Sequence, residues 1–558
     1  MKNYKQYIFA GLTLLSLSLT SCDDFLDTAP NDALTDSKTW KTESDVNNFL
    51  TGCYDFYQPA ISLVYWDAGS DFGYNNFPWE GFTCIGNGTM TPSNPGARPD
   101  PAWRGGYMDL YDFQTIRRCN TLLANVDKAT FSSEAVKKDM VAQCRFIRAY
   151  RYFVMTNRYG GVPIIDNYAT AQEAQVPRSS EADVHKYIKD ELAAVIADIN
   201  TVPTQRGRAG KGAALALKMR LALYESDWAT AKEAAQAIIN LGQYSLESNY
   251  ATLFQVAGQD SKEIILASQQ ESNNYAYDWS FYFPNGDGGW SSVVPTQQCV
   301  DNYEMANGMT IDESGSGYDP VHPFHGRDPR LSATIIYPGC DWNGRVFNSL
   351  DQSLDGAKNP DYSANADNAT KTTYNWRKYA DPISQYPSMG KANVCPIIFR
   401  YAEVLLTWAE AENELNGPSA QVYEKIDQVR QRAGMPAVDR TKYNTKEALR
   451  ELIHRERGSE FAGEGIRRWD ILRWKTADGK MYAHKVLNVT LSRIVGTLSD
   501  SPTKDSSDPT MRATITPGKT EKIEDRTFQD FNRYLPIPQS ARDKNPNLSQ
   551  NPGYDGAK

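Results

Sequence analysis

A mostly α-helical architecture is predicted for this chain, and three observations predict it. Residues 142–163 place Ala142, Phe146, Ala149, Tyr150, Phe153 and Asn157 on one helix face, which Gly160-Gly161 and Pro163 then close. Residues 206–241 read as a helical hairpin whose second half carries Ala231, Ala234, Ala235 and Ala237, small enough for close approach. Apolar stripes at helical period recur at 399–415, 419–432 and 446–474. Paired helices with small residues at the crossing resemble tetratricopeptide units, although the strict repeat signature is not met and a plain helical bundle fits the same pattern.

A chain of 558 residues suggests two lobes. A net charge of -9 without a basic run argues against nucleic acid as the main partner. Residues 1–21 read as a signal peptide, with Lys2 and Lys5 before an apolar core from Tyr7 to Leu19 that is too short to span a bilayer comfortably. Leu19-Thr20-Ser21-Cys22 looks like a bacterial lipobox, which makes Cys22 the lipidation site and the mature N-terminus. Residues 22–39 form an acidic, proline-containing leader next to the lipid. Cys53, Cys84, Cys119, Cys144, Cys299, Cys340 and Cys395 show no CxxC pair or short regular spacing, so neither a zinc site nor a dense disulfide framework is indicated. One disulfide is allowed, and the odd number leaves at least one thiol unpaired.

The body divides into an N-terminal region, 40–265, and a C-terminal region, 266–558. Ser44-Asp45 can cap a first helix carrying Val46, Phe49, Leu50 and Tyr54. Residues 59–106 then lose helical period and fill with Gly, Pro, Asn and aromatics, a loop long enough to suggest function. Helical pattern returns at 110–126, 141–159, 181–199, 212–224 and 228–239. A second aromatic, Gly- and Asn-rich stretch occupies about 270–395. Beyond the last helices, Tyr534-Leu-Pro-Ile-Pro538 is extended by its prolines.

Four segments together resemble the SusD/RagB family of outer-membrane nutrient-binding lipoproteins. They are the lipobox at Cys22, the Arg145-to-Pro163 helix with its Tyr-Gly-Gly-Val-Pro exit, the Ala-rich hairpin of 208–246, and a C-terminal set. That set comprises Arg400-Tyr-Ala-Glu-Val-Leu-Leu, Val429-Arg-Gln-Arg-Ala-Gly, Arg455-Glu-Arg with Arg467-Arg-Trp-Asp470, and Tyr534-Leu-Pro-Ile-Pro to Asn545-Pro-Asn-Leu. The resemblance implies a tetratricopeptide-like scaffold of helix pairs with a loop-rich, irregular ligand-binding face. It also implies a lipid-anchored position on the cell surface, with Asp23 and Asp24 following the lipidated cysteine. There the protein would act as a lid over a SusC-type TonB-dependent transporter, delivering an oligosaccharide or, less often, a peptide.

Sugar recognition needs flat apolar faces and a few placed polar groups. Two loop regions supply both: Tyr65, Trp66, Trp79 and Trp103 in the first, Tyr277, Trp279, Tyr282 and Trp290 in the second. Asp67, Glu80, Arg104, Asp278, Asn285 and Asp287 stand among them. Any single ring can instead plug its loop onto the scaffold; for the group, an exposed patch is expected. No cofactor is implied. Gly-x-Ser-x-Gly, a Walker-type phosphate loop and His-Glu-x-x-His are absent, and Pro323 between His322 and His325 breaks the only close histidine pair. No catalytic residue or metal ligand is therefore assigned. A surface glycosidase using two carboxylates among the loop acids and a protein-binding helical scaffold stay open as alternatives. Glu403, Glu410, Arg455, Glu456, Arg457, Glu460, Arg467, Asp470 and Arg473 read as ion pairs between packed helices.

Overall fold

The structure, a computed structural model, describes residues 40–54, 64–96, 111–168, 170–271 and 279–554. The signal peptide, the leader with Cys22, and the candidates Trp103 and Tyr277 lie outside the described residues. The helices used below are α1 (Glu43–Tyr54), α2 (Phe82–Asn87), α3 (Gln114–Asn125), α4 (Glu134–Tyr159), α5 (Glu181–Asp198), α6 (Lys211–Tyr224) and α7 (Trp228–Asn240). They are followed by α8 (Tyr401–Asn416), α9 (Ala420–Arg432), α10 (Lys446–Phe461) and α11 (Arg467–Arg473).

Side-chain oxygens start most of the long helices by accepting an otherwise orphaned backbone N–H. Ser133 caps α4, Ser180 α5, Asp227 α7, Ser419 α9 and Thr445 α10. At α1 the cap differs from the expected Ser44-Asp45, because Thr42 and Asp45 bond reciprocally. From α3 through α9 each helix packs on the next in the chain, apart from the long excursion between α7 and α8, which themselves pack together. This nearest-neighbour stacking is the layout of helix-pair solenoids. The expected helix at 446–474 is two helices. Gly463 and Gly465 adopt φ of 80° and 72°, a left-handed geometry that turns the chain between α10 and α11.

Strands are short and paired in twos. β1 (Gly73–Asn75) pairs antiparallel with β3 (Val293–Pro295), joining the two aromatic loop regions. Between them in sequence, β2 (Ile264–Ala267) pairs with β4 (Ile397–Arg400), so the division drawn at 265/266 falls inside a strand tied to the far side of the second loop region. β5 (Thr490–Thr497) and β6 (Thr514–Asp525) form a long, largely exposed hairpin. One contiguous apolar core runs from Trp40 to Tyr554.

The exit from α4 explains the link between two distant motifs. Gly160 has φ 68°, and the Tyr534 ring lies against it; a Cβ on Gly161 would stand 2.1 Å from the Ser179 carbonyl. Leu535 N–H donates to the Arg158 carbonyl at 2.7 Å, and Asn551 Nδ2 to the Tyr159 carbonyl at 3.1 Å. The C-terminal extended segment thus locks the end of the central helix.

Candidate ligand-binding surface

The two aromatic loop regions do meet, but among the described residues most of their candidate rings face inward. Tyr65 packs on Phe82 and Phe281 with ring centroids 5.2 and 5.0 Å apart, and Trp66 on Phe82 and Trp469 at 5.3 and 5.1 Å. Trp279 lies 5.2 Å from Phe281 and 4.7 Å from Tyr282. Tyr65, Trp66, Trp279 and Tyr282 are all buried, which corrects their expected place on an open glycan surface. The physical reason is the β1–β3 pairing. It presses two loops rich in large rings against each other, and burying such rings yields more free energy than exposing them. Trp290 is half-buried against the same core.

Among the described residues, polar candidates are engaged as well, while Arg104 and Asp278 lie outside them. Asn285 Nδ2 donates to the Pro360 carbonyl, while Asp287 accepts from Trp342 Nε1 at 2.7 Å and from Arg345 at 3.0 Å. Asp67 is buried under α11 and accepts from Gly465 N–H at 3.1 Å. Burial pushes its carboxyl up to about 7, only partly offset by that N–H and by Lys378.

Beneath the loops lies a lattice of buried charge. Arg400 reaches Glu263, Glu460 and Glu464, while Arg330 reaches Asp328, Glu456 and Glu460. Arg430 bridges Glu304 and Glu456, and Arg455 adds a second contact to Glu304. A neighbouring group joins Glu410 to Arg473, and Asp470 to both Arg473 and Arg457; Glu403 pairs with Arg220. Burial by itself would raise the Glu460 carboxyl, yet Arg432, Arg400 and Arg330 hold it well below the usual range. The helix charges singled out in the sequence are therefore ion pairs, as expected. Arg467 bonds Asp71 at 2.8 Å and Arg468 donates to the Gly69 carbonyl at 2.6 Å, so the lattice also pins the first loop to α11.

One candidate ring is different. Trp79 is 65% exposed, and among the described tryptophans it alone is exposed. Its indole stacks on Phe77 with centroids 4.7 Å apart and planes 25° apart. The support is stiff. Asn76 N–H donates to the Ser292 carbonyl at 2.8 Å, Asn75 Nδ2 to the same carbonyl at 2.9 Å, and Asn76 Nδ2 to the Ala369 carbonyl at 3.2 Å. A flat apolar face is thus held out on a platform built from both loop regions, the preorganisation that keeps binding costs low.

A concave feature, separate from this platform, was not legible in the sequence. A cleft of about 670 Å³ opens beside the C-terminal motif, lined by Phe528, Phe531 and Tyr534 with His484, Asp530 and Asn551. His484 Nε2 and Asp530 lie 2.7 Å apart there. Its walls come from segments far apart in sequence, so no local pattern announces it. The histidines of the broken pair face apart in function: His322 Nδ1 meets the Ala513 carbonyl and His325 Nδ1 meets Asp508.

Residues 262–554 match the family described as the SusD family, and residues 24–223 match a family described as starch-binding, associating with the outer membrane. The chain is 27% identical over 504 residues to SusD-like protein P25 of Formosa agariphila, covering 85% of this chain and 90% of that protein. It is 25% identical over 460 residues to the starch-binding protein SusD of Bacteroides thetaiotaomicron, covering 74% and 72%. A solved SusD-like carbohydrate-binding protein from Bacteroides fragilis superposes with a TM-score of 0.76 at 30% identity, over 92% of this chain and all of that one.

Proposed function

Because this chain belongs to the SusD family, we propose that it is a cell-surface glycan-binding lipoprotein that captures an oligosaccharide or polysaccharide without cleaving it. In this reading it is anchored in the outer membrane through Cys22 and passes its ligand to a SusC-type TonB-dependent transporter. The observation that carries it is Trp79, an exposed indole held on a rigid ribbon where a pyranose ring can stack. The outer-membrane association of the matching family and the carbohydrate-binding name of the Bacteroides fragilis relative support the ligand class. Among the described residues no helix is long and apolar enough to cross a membrane.

The use of the helix carboxylates supports binding without catalysis. Those on α8, α10 and α11 that the sequence singled out are buried and paired with arginine, so none is poised to protonate a glycosidic oxygen. Calorimetry of the purified protein against a panel of polysaccharides tests the proposal, with reducing ends assayed on the same samples. Binding to at least one glycan with no new reducing ends is expected. Silence across the panel while a protein ligand binds would overturn it.

A further inference from the structure

Three cysteines that look unrelated in the sequence converge in the N-terminal half of the scaffold. Cys53 near the end of α1, Cys119 in α3 and Cys144 in α4 place their sulfurs within 4.8 Å of one another. All three side chains are fully buried and carry free thiols. Helices α1, α3 and α4 pack on one another, so three independent elements hold the sulfurs in place. Cys84, Cys299, Cys340 and Cys395 join no such group among the described residues.

Two arginines border the triad. Arg118 Nη1 donates to the carbonyl of Gly52, the residue before Cys53, at 2.7 Å. The Arg208 guanidinium lies 4.8 Å over the ring of Tyr54, the residue after it. Arg208 is itself buried, and its Nη1 has no hydrogen-bond partner among the described residues. Its Nη2 donates to neutral acceptors, Asn47 Oδ1 at 3.1 Å and Thr51 Oγ1 at 2.6 Å, and a buried cation held by neutral partners is costly unless negative charge develops near it.

We propose that Cys53, Cys119 and Cys144 form a trigonal thiolate site for a soft monovalent metal ion, Cu(I). Soft thiolate sulfur selects Cu(I) over hard cations. Metal–sulfur bonds of about 2.3 Å put the three sulfurs of a trigonal site about 4 Å apart, so the observed group needs to close by less than about 1 Å. A zinc ion would ask for a fourth ligand, and no histidine, carboxylate or further cysteine belongs to the group among the described residues. Binding exchanges three S–H bonds for three Cu–S bonds and releases three protons, with no change of oxidation state. The complex of one Cu(I) and three thiolates carries two negative charges, opposite in sign and equal in number to the charges of Arg118 and Arg208.

The test titrates the anaerobic, reduced protein with Cu(I) in competition with a chromogenic Cu(I) chelator. One Cu(I) per chain is expected, with X-ray absorption at the copper edge of the unmutated protein showing three sulfur neighbours at about 2.3 Å. Cys53→Ser and Cys144→Ser are each expected to weaken Cu(I) by more than about 100-fold, exceeding what loss of an outer-shell partner costs. Cys395→Ser should leave the affinity within about twofold of wild type, since it removes no ligand. Nitrogen or oxygen neighbours in the absorption spectrum, or a disulfide within the triad in protein isolated without reductant, would overturn the proposal. The spectrum needs no variant, so it decides the matter even where a serine variant does not fold.

Discussion

Replacing Trp79 by alanine removes the exposed indole and little else. A tryptophan buries up to about 250 Å² when fully covered, so at 65% exposure roughly 160 Å² of this one faces solvent. A pyranose stacked on one face covers about half of that, roughly 80 Å², which at about 25 cal/mol per Å² amounts to about 2 kcal/mol, or about a 30-fold loss of affinity. The effect on folding is smaller. The stacked contact with Phe77 is lost, about 0.5–1.5 kcal/mol, while Asn75 and Asn76 still tie the ribbon through their own hydrogen bonds. Calorimetry of wild type, Trp79→Ala and Trp79→Phe against the same glycan measures the binding effect, and circular dichroism on each sample checks the fold. Phenylalanine should fall between the two. An alanine variant that is folded and binds within twofold of wild type would refute the placement of the ligand on this ring.

Three further perturbations probe the frame. Trp66→Ala opens a cavity between Phe82 and Trp469 and should destabilise by about 3–5 kcal/mol in urea unfolding; lost glycan affinity with unchanged stability would return that ring to the binding surface. Arg400→Met strips the shared partner from Glu263, Glu460 and Glu464 and should cost about 3–5 kcal/mol, whereas an unmoved urea midpoint would mean the lattice does not hold the loops. Asp67, with its carboxyl raised to about 7 in the folded chain, keeps a proton there that the unfolded chain has released, so its contribution to stability falls as pH rises from about 4 to about 7. Asp67→Asn should therefore gain on wild type by roughly 1 kcal/mol per pH unit over that window, and a difference between the two that stays constant with pH would show that Asp67 does not titrate this way.

Most of the helical frame was legible because its signals are local. Ser180, Ser419 and the Gly160-Gly161 exit sit within a turn of the ends they fix. The break between α10 and α11 was missed because charged and apolar residues keep helical spacing through Gly463 and Gly465, and only Glu464 turning in to Arg400 and Lys378 reveals why the chain must bend there. The aromatic loops were misjudged for a different reason. Whether Trp66 faces solvent depends on Trp469, which lies on α11, the helix that Arg467 and Arg468 tie to the first loop region. Composition gives the rings but not their partners. The thiol triad is invisible for the same cause: its members sit on three helices whose crossing no spacing rule encodes. The ion-pair reading fared better, since arginine and glutamate at helical intervals on packed helices have few other ways to be satisfied.

The most direct measurement is a crystal structure of the protein with the glycan that calorimetry identifies. It should show an intact chain of sugars with one ring in van der Waals contact with the Trp79 indole, and Trp66 and Trp279 still enclosed. A cleaved glycan, or one seated in the cleft of Phe528, Phe531 and Tyr534 with Trp79 bare, would contradict the account.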